Sequence, residues 1–260
     1  MRRWTVLLVV VALLAACTTE GRRGGRRLVL REDFTGSAPA DGRWVTCYDW
    51  NVDGCTNAGN REQQWYRPEQ VRVADGQAIL TAARRPTRGS DGVLYPWVSG
   101  MLSTGRASWS GRPRFTFRYG RVEAELLLPS EPHSFPAFWL MPVSRYTPPE
   151  LDVVELIGPD GEAEATVHWR GPDGAPRAWT HASPPRDWSA RFHRFALDWE
   201  PDRVAWSIDG EEVFAVTDRA LIPHEPMEVL FTLAMGYPGP VPEHVLGAEL
   251  RIRSVRVWAR

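Results

Sequence analysis

Lysine is missing altogether: all 31 basic residues of this 260-residue chain are arginine. That reads as a composition bias and points to no chemistry. An excess of either charge is missing too. The formal net charge is −1, which argues against electrostatic binding to nucleic acid or to an anionic membrane surface. The apolar stretch Trp4–Leu14 is too short to span a bilayer, which takes about 20 residues. No segment carries a convincing helical period. Short strand-like runs separated by Gly and Pro predict an all-β sandwich or barrel instead.

Cysteine is scarce, three in all. Cys17 follows a basic Arg2-Arg3 start and the apolar stretch, and Leu14-Ala15-Ala16-Cys17 has the form of a bacterial lipobox. The expectation is a lipoprotein-type signal peptide over 1–17, with Cys17 lipidated and the mature chain held at the cell surface by its N-terminal lipid. An ordinary secretory cleavage site is the alternative. The polar, glycine-rich stretch 18–26 suits a flexible tether. Cys47 and Cys55 stand eight apart among turn residues. Export favours a disulfide between them over a free pair, worth roughly 2–3 kcal/mol for so short a loop.

The most informative stretch runs from Pro148 to Gly158, where Glu150, Asp152 and Glu155 alternate with aliphatic residues. Two prolines and three β-branched residues disfavour a helix. In a strand Glu150 and Asp152 share a face, whereas Glu155 would point away. A β-bulge near Val153-Val154 returns Glu155 to their side. Carboxylates crowded on one face raise one another's pKa, a cost that chemistry can justify and folding cannot. Two acids about 5–5.5 Å apart are the equipment of a retaining glycosidase. A solvated acidic edge strand or a calcium site are the alternatives for so short a pattern.

Around this stretch, strands are expected at Arg27–Leu30, Val71–Val73 and Ala78–Ala82, the last two joined by an Asp75-Gly76 turn. Alternation is clear from Phe115 to Leu128, with Val122, Ala124, Leu126 and Leu128 on one face and Arg121, Glu123 and Glu125 on the other. Further strands follow at Pro136–Met141, Thr166–Trp169, Phe192–Trp199, Arg203–Ile208, Glu212–Val216, Met227–Ala234 and Leu250–Trp258. The irregular region Trp44–Tyr66 is rich in aromatics, including Tyr48, Trp50, Trp65 and Tyr66, as binding loops at a sheet rim often are. Of the 13 tryptophans, core packing is expected to account for more than half, and stacking on sugar faces for some of the rest. One domain, 27–260, is the simplest organisation.

Several stretches, in this order, carry a resemblance: Gly59–Tyr66, Tyr119–Ala124, Phe135–Pro142, the acidic strand, Val167-His168-Trp169, and Phe192-His193 through Trp206–Gly210. The chain resembles the laminarinase-type members of glycoside hydrolase family 16. That resemblance implies a β-jelly-roll of two antiparallel sheets with a concave substrate cleft, and cleavage of a β-linked polysaccharide without a cofactor. It implies Glu150 as nucleophile, Glu155 as acid/base and Asp152 as their assistant. Asn60, Glu62, Phe135, Trp139, His168 and Trp169 match substrate-cleft positions. Packing is the alternative for the two tryptophans, and a structural role for His168.

Departures from the family pattern matter as well. Phe135 replaces a tryptophan, Met101 an arginine, and Thr232 and Tyr237 an Asn and a Gly. Arg253 stands where an Asp usually helps hold calcium, so no metal is expected. The expected protein is a monomeric endo-β-glucanase of the 1,3 or mixed 1,3/1,4 type, with no nucleic-acid partner. A non-hydrolytic glucan-sensing protein and a transglycosylase on the same fold are the alternatives.

Overall fold

The computed structural model describes residues 22–23, 25–39, 42–48, 54–157 and 161–260. The signal segment with Cys17, most of the tether, Trp50 and Gly158 lie outside the described residues. Among those described, strands build two large sheets. The helical content is two short 3-10 turns, Ala58–Asn60 and Pro68–Gln70. The larger sheet runs, in order, Glu211–Val216, Arg203–Ile208, His193–Glu200, Gly120–Leu127, Gly247–Ala259, Gln77–Ala83, Trp97–Ser99 and Gln64–Tyr66, with Arg26–Glu32 pairing on Gly247–Ala259 and Val71–Ala74 on Gln77–Ala83. The smaller runs Pro176–Ala182, Ala163–Arg170, Glu150–Leu156, Ser134–Pro142, Met227–Met235 and Met101–Ser103.

Period-two patterning makes the two sheets a sandwich. Val122, Ala124 and Leu126 of the larger sheet are fully buried, facing Phe138, Leu140, Leu151, Val153, Val154 and Val167 of the smaller across one core. Phe138 and Phe231, cross-strand partners, stack at 4.7 Å within it. Each such side chain contributes about 1.5–3 kcal/mol of burial. The Asp75-Gly76 turn forms as expected, both residues at positive φ (53° and 68°), the conformation a tight hairpin needs and Gly accepts without strain. The expected alternation from Phe115 begins as a strand only at Gly120.

Three features depart from expectation. The larger sheet is not wholly antiparallel, because Gln64–Tyr66 pairs parallel with Trp97–Ser99. Arg22-Arg23, within the expected tether, pairs with Arg26-Arg27. Arg26 itself reaches Asp198 and Glu200, each at 2.5 Å, so the sandwich extends back to it. Strands at Trp97–Ser99, Met101–Ser103 and Pro176–Ala182 were absent from the sequence reading.

A second apolar cluster lies on the far face of the smaller sheet, where Phe135, Ala137, Trp139, Met141, Leu230, Ala234 and Met101 meet Tyr48 and Tyr66 from the 44–66 region. That region is fastened at several points. Val45 exchanges backbone hydrogen bonds with Ser103 at 2.8 Å each way. The Cys47–Cys55 disulfide forms, with Cα atoms 4.8 Å apart, and Tyr66 N donates to Cys55 O at 2.6 Å. Gln63 N donates to Met235 O at 2.8 Å, which sets the following segment against the face that carries the acids.

Candidate active site

The acidic strand is bulged where the sequence demanded it. Against its neighbour Ser134–Pro142, Glu155 pairs with Ala137, Val154 with Phe138 and Asp152 with Trp139, so Val153 is the extra residue. The same irregularity falls between Asp152 and Glu155 on the Ala163–Arg170 side. Val153 and Val154 both join the sandwich core, and Glu150, Asp152 and Glu155 together line one cleft of about 300 Å³. Thus a single inserted residue converts an alternating strand into a row of three acids.

The other walls come from distant segments: Tyr48, Asn57, Asn60 and Glu62 from the fastened loop, Phe135, Ala137 and Trp139 from the neighbouring strand, Thr147 and Pro148 from the approach to Glu150, and His168 and Thr232. Of the residues expected at a cleft, Asn60, Glu62, Phe135, Trp139 and His168 are there. Trp169 is not: it packs on the sandwich core. The physical reason is the strand period, since His168 and Trp169 are adjacent and must face opposite sides. Sequence reasoning missed Tyr48, Asn57, Thr147 and Pro148 as lining residues, for they sit in irregular segments without periodicity. Thr232 and Tyr237 were flagged only as departures. Thr232 lines the cleft, and the Tyr237 ring stacks on Phe135 at 4.9 Å. Met101 is fully buried.

The acids are held by few hydrogen bonds and little positive charge. His168 Nε2 lies 2.8 Å from Asp152 Oδ2 and 3.9 Å from Glu150 Oε1, and Trp206 Nε1 donates to the Asp152 carbonyl at 2.7 Å. Burial first, then the negative charge of Asp152, push the Glu150 carboxyl up to about 8, with His168 pulling the other way. Glu155 is likewise raised, well above the usual carboxylate range, by burial and then by Asp152, Glu150, Glu164 and Glu62. Asp152 is raised by burial against the opposing hydrogen bond from His168. Burial opposes a charge on His168, but its bond to Asp152 and the charges of Asp152 and Glu150 outweigh that and raise it. Glu62 is lifted to about 7 by burial, moderated by hydrogen bonds from Gln64 at 2.6 Å and Asn60 at 3.2 Å.

Ligand atoms of Glu150, Asp152 and His168 lie within 4.8 Å of one another, a spacing a cation could use. The 2.8 Å bond already commits His168 Nε2 to Asp152, which favours an Asp–His pair over metal ligation through that nitrogen. Arg253, at the position expected to lack calcium, lies 3.7 Å above the Phe192 ring and 3.7 Å from Glu125. The arrangement therefore gathers three acids of raised proton affinity on one face, beside the rings of Phe135 and Trp139.

Comparison with known proteins agrees with this geometry. The model of glycosyl hydrolases family 16 matches residues 59–242. The endo-1,3-1,4-beta-glycanase EglC of Rhizobium meliloti is 31% identical over 250 residues, 88% of this chain and 50% of that protein, so the chain spans half its relative's length. A beta-glucanase of Rhodothermus marinus is 30% identical over 99% of this chain and 94% of that protein. The laminarinase catalytic domain of Thermotoga maritima superposes with a TM-score of 0.76 at 23% identity, covering 90% of this chain and 98% of that one, which shows a shared jelly-roll fold.

Proposed function

The chain belongs to glycosyl hydrolases family 16, and from that premise we propose that it cleaves internal β-1,3 or mixed β-1,3/1,4 linkages of a glucan with retention of configuration. The observation that carries the reading is the bulge, which sets Glu150 and Glu155 on one face. Neighbouring positions on one strand suit the short carboxyl separation of double displacement, about 5–5.5 Å, better than the roughly 6.5–9.5 Å an inverting water needs. Raised proton affinity at Glu155, from burial and the neighbouring negative charges of Asp152 and Glu150, supports its role as proton donor.

In the first step the ionised Glu150 carboxylate attacks the anomeric carbon while the Glu155 carboxyl gives its proton to the departing glycosidic oxygen. The bond from Glu150 to carbon forms as the carbon–oxygen bond breaks. In the second step Glu155, now a carboxylate, takes a proton from water. The resulting hydroxide oxygen displaces Glu150 and restores the original configuration. His168 fixes Asp152 through their hydrogen bond, and Asp152 in turn sets the charge beside Glu150. Asn60, Glu62, Phe135 and Trp139 bind the sugar, with Trp139 and Phe135 offering ring faces. Retained acids argue against a purely sugar-sensing role.

The proposal extends to location: export, with anchoring through a lipidated Cys17. Cys17→Ser should release the protein from membranes, and wild type found soluble and unlipidated would refute the anchor. For the reaction, reducing-end release from laminarin, lichenan, agarose and galactan is the test, with NMR of the first product. Turnover of laminarin or lichenan with a β-anomer formed first supports the reading. An initial α-anomer would sink both the mechanism and the residue roles.

A further inference from the structure

Eleven tryptophans lie among the described residues, and eight of them are buried. Trp169 lies against the core, and Trp179 meets Phe214 edge to face. Folding gives no such account of Trp109, whose exposure is 61%. Leaving a large ring in water forgoes burial energy, and clustered exposed apolar surface marks a contact site.

Trp109 is nonetheless held firmly. The Arg145 guanidinium lies 4.2 Å above its ring, and Arg145 Nη2 donates to the Trp109 carbonyl at 2.7 Å. Arg145 adopts a left-handed backbone (φ 66°), at a cost of about 1–2 kcal/mol for a residue with a Cβ. The next residue, Tyr146, is 78% exposed, and the two after it, Thr147 and Pro148, line the acid cleft. The segment is pinned along its length. Arg106 Nη2 donates to the Val143 carbonyl at 3.0 Å, and Ser144 N donates to Glu225 at 3.2 Å. Arg170, two residues beyond His168 on the same strand face, donates to the Thr147 carbonyl at 3.0 Å. The braced Trp109 ring and the exposed Tyr146 thus both attach to the segment that leads into the cleft.

A cleft of about 300 Å³ is at the low end for ligand sites, so a polysaccharide must leave it across the rim. A pyranose offers a flat C–H face to an aromatic ring and hydroxyls to a neighbouring guanidinium. We infer that Trp109, braced by Arg145, and Tyr146, the exposed residue after Arg145, form an outer platform that binds a pyranose unit of the glucan beyond those held at the acids. The inference rests on the glucan-hydrolase reading and adds a preference for polymer over short oligosaccharide.

The test compares wild type with a Trp109→Ala/Tyr146→Ala double variant on laminarin and lichenan, each beside its own trisaccharide. KM for the cleaved polymer should rise about 5–10-fold, with kcat and the trisaccharide kinetics unchanged, and Trp109→Phe should restore most of the loss. An unchanged polymer KM, or equal losses on polymer and trisaccharide, would overturn the platform. If wild type cleaves neither polymer, the hydrolase reading fails on its own, and electrophoretic retardation in laminarin- or lichenan-containing gels then decides. Retardation lost in the double variant sustains the platform; retardation that persists, or that wild type never shows, removes it. Should the double variant not fold, Trp109→Ala and Tyr146→Ser carry the same comparison singly.

Discussion

The two sheets both present acids on the face turned away from the core, and they treat them in opposite ways. On the larger sheet every acid beside Arg121 has a guanidinium partner. Arg121 bonds Glu123 at 2.9 Å and also Asp198, Arg26 bridges Asp198 and Glu200, and Arg194 reaches Glu125 at 2.8 Å. Nearby, Asp33 is pushed up by partial burial, yet Arg31 and Arg256 more than offset this and hold it below the usual carboxylate range. Around the cleft of the smaller sheet the acids have no arginine among their lining neighbours within the described residues; His168 bonds Asp152, and Gln64 and Asn60 bond Glu62. Their proton affinities rise instead of falling. A chain carrying 31 arginines does not lack cations to place there. Keeping them out leaves burial and mutual repulsion to raise the proton affinities of the cleft acids.

The comparison breaks most sharply at Glu150. Replacing it with Ala removes the proposed nucleophile, and kcat should fall on the order of 10⁵-fold or more, measured by reducing-end release. Azide would restore turnover with inverted product, because a small anion fits the vacated space. A variant retaining a tenth of wild-type activity would refute the assignment. At Glu155, Gln should cost about 10²–10⁴-fold on natural glucan, as loss of an acid catalyst does. Aryl glycosides with good leaving groups should lose much less, and equal losses on both substrates would exclude proton donation.

The larger sheet should show the reverse pattern. Arg121→Ala takes the nearest guanidinium from the buried Glu123, leaving Arg194 at 3.4 Å, and should cost about 3 kcal/mol of stability, read by denaturant unfolding, with kcat intact in the folded fraction. A fall in kcat with stability unchanged would dissolve the distinction between the two faces. The smallest effect concerns Glu62. Its folded pKa, about 7, lies above that of a free glutamate, so its contribution to stability is whole below pH 4.5 and is lost as pH rises through 7. Glu62→Gln should remove that loss and leave the variant more stable than wild type above pH 7, by up to about 3 kcal/mol. Parallel stability curves from pH 4 to 9 would show that Glu62 keeps its charge in the fold.

Legibility followed periodicity. The bulge was readable because Glu155 breaks an otherwise strict alternation, and the Gly120–Leu127 strand because Val122, Ala124 and Leu126 repeat every second residue. The same rule, applied to Val167-His168-Trp169, would have sent Trp169 to the core; resemblance to a motif had placed it in the cleft. Pro176–Ala182 is exposed along most of its length, so an edge strand there leaves no hydrophobic signature. The loop contributions from Tyr48, Asn57 and Thr147 depend on fastening by bonds remote in sequence, such as Val45 to Ser103, which no local pattern encodes. The arginine partners of Glu123 and Asp198 were invisible for the same reason.

The strand Gly247–Ala259 lies in the interior of the larger sheet, bonded to Gly120–Leu127, Gln77–Ala83 and Arg26–Glu32. Pairings such as Arg27 with Ala259 and Ala78 with Ile252 therefore join residues far apart along the chain. Contacts so distant along the chain make for slow folding, since loop closure is costly before any contact rewards it. A ribosome-bound chain lacking residues 247–259 cannot assemble this sheet, and its early strands stay open to chaperones. If the chain is exported as proposed above, such a delay keeps it pliable during passage.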